Sequence, residues 1–185
     1  TVHRQQIFGG HGFIRAWGQE QLVRDCRITQ IFEGTNGIQA LDLMGRKTMQ
    51  LQGAGLRLFL GMIDEFCNAN EDDALTGEFI APLRAAAAEW QALTGAIAQR
   101  AAGNPEEIGA ASWDYLFYSG YVTLAYWWAR SVAATSDSAQ PAAFKQAKRE
   151  TARFYFARIL PRTRAHKAAI ESGADALMAL DADAF

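Results

Sequence analysis

Glu33 is the residue of this sequence best placed for acid–base chemistry. It stands in Ile31-Phe32-Glu33-Gly34-Thr35-Asn36-Gly37, a break between two stretches of helical periodicity. Apolar neighbours such as Ile31 and Phe32 desolvate a carboxylate and raise its pKa, making it a better base near neutral pH. Thr35 and Asn36 are candidate N-caps. The helix they open offers free backbone N–H groups to an anion or a developing oxyanion. The plain structural reading is a loop glutamate that caps a helix or pairs with a cation. A second cluster lies upstream, in Gln6-Ile7-Phe8-Gly9-Gly10-His11-Gly12-Phe13. Glycines without a Cβ let backbone amides touch a pyrophosphate, and they equally suit a helix C-cap and tight turn. No strand precedes them, which rules out a dinucleotide-binding fingerprint. Arg24-Asp25 reads as an internal ion pair on a short helix.

The elements that must position these groups are helical nearly throughout, with no convincing strand period. Val2 to Phe8 reads as the tail of a helix that begins upstream, stopped by Gly9-Gly10. A glycine-punctuated loop to Gly18 follows, then a short helix from Gln19 to Thr29. Beyond the break at Glu33, Ile38, Leu41, Met44 and Met49 mark a helix reaching Leu51. Four long segments come next. Leu56, Phe59, Leu60, Ile63 and Phe66 stripe the first, and Asn70-Glu71-Asp72-Asp73 stops it. The second carries Phe79, Leu83, Ala87, Trp90, Leu93, Ile97 and Ala101, a ladder typical of bundle cores. Asn104-Pro105-Glu106-Glu107 restarts the chain with a cap, a first-turn proline and acids that suit the helix dipole. The third segment is aromatic, with Trp113, Tyr115, Tyr118, Tyr126, Trp127 and Trp128 read as core. Pro141 opens the fourth, Pro161 breaks it after Leu160, and a shorter helix leads to Gly173. Short connections between long amphipathic helices predict antiparallel neighbours, an all-α helical bundle.

The chain has 185 residues, half of them apolar and 11% aromatic, enough for one well-packed domain or slightly more. A net charge of −2 gives no footprint for nucleic acid. The basic stretch from Lys145 to Lys167 reads as a solvated helix face. Cys26 and Cys67 read as buried free thiols, and His3, His11 and His166 are too scattered for a metal site. With no apolar run of about 18 residues and no signal peptide, no membrane span is expected and the cytoplasm is the expected location.

Taken together, Gln6–Phe13, Arg24-Asp25 and Ile28-Thr29-Gln30-Ile31-Phe32-Glu33-Gly34-Thr35-Asn36-Gly37-Ile38-Gln39 resemble the C-terminal helical domain of the acyl-CoA dehydrogenase family. Three motifs match in order over residues 1–46. The resemblance implies that Glu33 is the base that removes the α-proton of an acyl-CoA, the β-hydrogen leaving as hydride to flavin N5. It implies that the Glu33–Gly34 segment meets the substrate, the Glu33 N–H helping to hold the thioester carbonyl. Thr35 and Asn36 match positions that contact FAD. Gln6, Gly9 and Gly10 match a segment that reaches the FAD of a neighbouring subunit, implying a homodimer or homotetramer. Electron transfer flavoprotein is the implied oxidant.

Gly37 departs from the family, many members of which carry Gln or Glu there. The chain also continues well beyond the end of short members. That extension resembles the extra C-terminal helical domain of a longer branch, which includes 3-methylmercaptopropionyl-CoA dehydrogenases. The expected division is therefore 1–52, the end of the family's helical domain, and 53–185, an added bundle of four-helix type. Most of the FAD site would lie in an N-terminal region this chain lacks, so the chain alone is expected to be inactive. Two other readings stand beside this one: a stand-alone helical interaction module derived from such an enzyme, and an acyl-CoA oxidase.

Overall fold

The computed structural model describes residues 2–32 and 34–184. Among them there is no strand; the fold is all-α. Two compact units, residues 1–39 and 40–185, divide the chain.

The first unit contains α1 (Val2–Ile7), α2 (Gly10–Phe13), α3 (Gln19–Arg27) and most of α4 (Thr35–Leu41). The stretch predicted as a glycine loop is more regular than that, forming the single turn of α2 and a 3₁₀ turn at Arg15–Trp17. Left-handed Gly18, at φ 70°, leads from that turn into α3. Arg24 pairs with Glu20 at 2.8 Å, one turn back, and not with Asp25. Adjacent residues on a helix point about 100° apart, whereas i and i+4 share a face. Asp25 instead accepts from the Gln21 amide at 2.8 Å. Cys26 is exposed, against the expectation of burial; Cys67 is buried as expected.

Past Leu41 the helix continues as a π-helical stretch, Asp42–Gln50. Gly53, left-handed at φ 70°, closes it by donating its N–H to the Thr48 carbonyl at 2.7 Å. Then come α5 (Ala54–Ala69), α6 (Gly77–Ala101), α7 (Glu106–Ala133), α8 (Ala142–Phe154) and α9 (Thr163–Glu171). The fourth long segment loses α geometry before Pro161: Tyr155–Ile159 is π-helical and Leu160–Arg162 is 3₁₀.

Helix α7 is central, packing against α6, α8, α9 and the π segment. Its hydrogen bonds to α6 set an antiparallel register. The Tyr118 hydroxyl donates to the Ala86 carbonyl at 3.2 Å, Tyr115 meets Thr94 at 2.9 Å, and Arg100 meets Glu107 at 2.8 Å. The predicted ladder of α6 is buried from Phe79 to Ile97, and Ala101 at the helix end is half-buried. In α7 the expectation holds for Tyr115, Tyr118 and Tyr126, but Trp113 and Trp127 are 45% and 49% exposed. Those two belong with Phe117 and Leu124 to a second apolar stripe on the same helix.

The basic stretch is more than a solvated face. Arg149 and Arg153 both grip Glu78 at the start of α6, at 2.6 and 2.8 Å. Lys167 reaches Glu89 at 3.0 Å, and the Lys148 ammonium sits over the Trp128 ring. At the end of α9, the Glu107 carboxylate accepts from Arg100 and from the Ala174 N–H, while Arg100 also donates to the Ile170 carbonyl. Among the described residues, no helix is long and apolar enough to cross a membrane.

Candidate functional site

Two short segments of the first unit carry the candidate residues. Gln6 lies on α1 and is exposed. Gly9, at φ 57°, turns the chain from α1 into α2, and Gly10 is the first residue of α2. Space around both glycines is open: a Cβ added at either would meet no atom within 4 Å. Gly12 is the opposite case. A Cβ there would come within 2.4 Å of the Gln5 carbonyl oxygen, so only glycine lets α1 and α2 approach this closely. The Gln5 side-chain amide closes the same corner by donating to the Gly12 carbonyl at 3.2 Å.

Glu33, the candidate base, lies outside the described residues. Its neighbours are informative. Ile31 and Phe32 are each about half exposed. Gly34 has φ 100°, a region open to glycine alone in practice. Thr35, where α4 begins, has φ 51°, unusual for a β-branched residue. Two successive left-handed residues re-aim the chain at the helix start, and such strain costs of order 1–3 kcal/mol per non-glycine residue. Asn36 is half-buried and Thr35 exposed.

Among the described residues no hydrogen bond joins the Gln6–Gly10 segment to Gly34–Asn36. A small cavity of about 230 Å³ in the same unit is lined by Val2, Val23, Arg24, Cys26, Arg27 and Gln30, and so touches none of the candidate residues. No group of three His, Cys, Asp or Glu among the described residues could hold a metal ion.

Sequence reasoning missed the ion pair just past the site helix. Asp42 bonds Arg46 and Lys47, the latter at 3.0 Å, and these two cations hold its carboxyl down to about 2, Arg46 contributing most. The i, i+4 spacing of Asp42 and Arg46 was the available signal. Nothing in residue type pointed to the left-handed Thr35.

Residues 2–48, which include every candidate site residue, match the family described as acyl-CoA dehydrogenase, C-terminal domain. Residues 59–181 match the family described as acetyl-CoA dehydrogenase C-terminal like. The chain belongs to the acyl-CoA dehydrogenase family. Within that family it is 30% identical over 168 residues to a butyryl-CoA dehydrogenase of Syntrophomonas wolfei, an alignment covering 87% of this chain and 27% of the relative. It is 33% identical over 179 residues to the 3-methylmercaptopropionyl-CoA dehydrogenase of Ruegeria pomeroyi, covering 94% of this chain and 30% of the relative. A shorter match, 42% over 40 residues, is to the caffeyl-CoA reductase-Etf complex subunit CarC of Acetobacterium woodii, covering 22% of this chain and 11% of that one. The chain thus spans under a third of the length of these first two curated relatives.

Proposed function

We propose that this chain is the C-terminal part of an FAD-dependent acyl-CoA dehydrogenase, with Glu33 as the base that removes the α-proton of the acyl thioester. The observation that carries the reading is the family match over residues 2–48, because it contains the glycine cluster and the Glu33–Asn36 segment in one stretch. The whole enzyme would form an α,β-double bond in its acyl-CoA. Alone, the chain is expected to be inactive.

The residues present fit a flavin cofactor in one checkable respect: the backbone at Gly9 and Gly10 is unobstructed, as close approach of a dinucleotide requires. Thr35 and Asn36 would hold it, and Gln6, Gly9 and Gly10 would reach that of a neighbouring subunit. When bound, FAD would supply the oxidant, an acceptor for the β-hydrogen as hydride. The chain's own contribution is the proton. Ile31 and Phe32 flank Glu33 in the sequence with apolar side chains, the kind that raises a carboxylate's pKa where it shields it from water, and Gly34 gives the segment the turn that a side chain would oppose. We assign residues 53–185 to an added helical domain and residues 1–52 to the end of the family's own. Electron transfer flavoprotein is the proposed electron acceptor, which the name of the Acetobacterium relative supports. Because Gln6–Gly10 would serve a neighbouring subunit's FAD, a dimer or tetramer is proposed.

The test is Glu33→Gln in the whole enzyme. The variant should retain its flavin but lose bleaching by acyl-CoA by at least roughly a hundredfold, the ordinary worth of a general base. Bleaching at the unmodified rate would remove Glu33 from the mechanism.

A further inference from the structure

The second unit carries a groove of about 410 Å³ between the π segment Asp42–Gln50, α5 and α6. Its size is that of a small-ligand site, and far too small to seat a partner helix some 10 Å across. Met49, Leu56 and Leu60 make it apolar along its length, and Thr94 adds a hydroxyl already engaged by Tyr115 at 2.9 Å. Arg57 is the one charged residue among the described residues lining it. The guanidinium donates to the Gln52 carbonyl and has no carboxylate partner among the described residues. Arg57 also borders an adjoining cavity with Asp64, whose carboxylate accepts from Asn68 at 3.2 Å and does not line this groove.

The backbone beside Arg57 is unusual. Gln52 and Gly53 are both left-handed, at φ 50° and 70°, so a non-glycine residue holds a costly conformation at the point where the arginine is anchored. Strain of this kind collects at ligand clamps, and π-helical insertions of the kind found at Asp42–Gln50 recur at functional sites. We propose that this groove binds a single-chain amphiphilic anion, its apolar chain along Met49, Leu56 and Leu60 and its carboxylate paired with Arg57. A planar carboxylate matches the two-pronged donor geometry of a guanidinium. The proposal does not depend on the dehydrogenase reading, since it uses none of residues 1–39.

Calorimetric titration of the 185-residue chain with decanoate, and with decanol as the neutral counterpart, tests it. One saturable site for decanoate is expected. Arg57→Gln should weaken decanoate roughly tenfold, the worth of one charge-assisted hydrogen bond, and leave decanol nearly unchanged. Gly95→Leu should abolish binding of both. Gly95 lines the groove and a Cβ there meets no atom within 4 Å, so the new side chain enters open space and favours the helix. Non-saturating uptake, or saturable binding that survives Gly95→Leu, would overturn the site. Decanoate affinity indifferent to Arg57→Gln would overturn the assignment of its head group.

Discussion

Raising the pH above about 10, the ordinary tyrosine value, should unfold this protein through three buried phenols. Tyr115, Tyr118 and Tyr155 are at most 7% exposed, and burial pushes the pKa of each above its usual value. For Tyr118 the nearby Glu89 carboxylate pushes the same way. In the unfolded chain the phenols ionise near pH 10, while in the folded chain they keep their protons to higher pH. The folded state then binds more protons than the unfolded one, and stability falls as pH rises. It is fully present below about pH 10 and lost above, at about 1.4 kcal/mol per pH unit for each phenol that keeps its proton in the folded chain, so about 3 for Tyr118 and Tyr155 together, with Tyr115 adding in the same direction. Against a total of about 5–15 kcal/mol for a typical domain, a few pH units suffice for unfolding. The Cys67 thiol, its pKa also raised by burial, contributes with the same sign from somewhat lower pH. Urea unfolding followed by circular dichroism, repeated at several pH values above the phenol range, measures the slope. Replacing Tyr118 and Tyr155 by Phe costs about 1 kcal/mol each at neutral pH, since each hydroxyl donates one hydrogen bond to a helix carbonyl, Ala86 and Tyr121. The double variant should lose at least about half of the alkaline slope. An unchanged slope would refute the reasoning and place the alkaline sensitivity elsewhere.

Gly173→Ala should lower stability by about 1–2 kcal/mol from the left-handed φ of 73° alone, or a few degrees in Tm. Its Cβ would stand 3.1 Å from the Glu107 carboxylate and disturb the contact with the Ala174 N–H, so a wild-type Tm would show that this junction is not constrained as described. Amide hydrogen exchange should separate the units: in the 185-residue chain, residues 2–32 should exchange far faster than the buried faces of α6 and α7, because only Gly12 and Gln19 are buried among them. Comparable protection in both would contradict that burial pattern.

How far the sequence discloses the fold depends on how one-sided each element is. In α6 a single ladder of large apolar residues stands against a back of small and polar ones, and Phe79, Leu83, Trp90, Leu93 and Ile97 all lie inside. Helix α7 offers two apolar stripes, and periodicity cannot choose between them. The small residues decide: Ala111, Ala125 and Ala129 share the buried side and let neighbouring helices come close, which leaves Trp113 and Trp127 outside. The π-helical stretches were not visible, because inserting one residue into a turn leaves the local apolar pattern nearly intact. For the site, the residue types and their order were legible as a family motif. Its conformation was not, since a β-branched residue argues against the left-handed φ that Thr35 adopts.

The candidate chemistry sits in the unit least able to hold it. A catalytic carboxylate must be fixed to within roughly half an ångström by supporting packing, yet residues 1–39 bury little of their own and leave Ile7 84% and Phe13 81% exposed. Units below about 40 residues seldom hold a fold without outside help. The side-chain amide nitrogen of Gln19 is buried there without an acceptor, and such a donor is normally satisfied. Residues 40–185 show the contrasting case, with a continuous core and buried tyrosine hydroxyls bonded to helix carbonyls. The precision that proton abstraction needs must therefore come from polypeptide outside residues 1–39. That requirement agrees with relatives more than three times as long as this chain, and under the proposed reading it is the physical reason to test Glu33 in the whole enzyme.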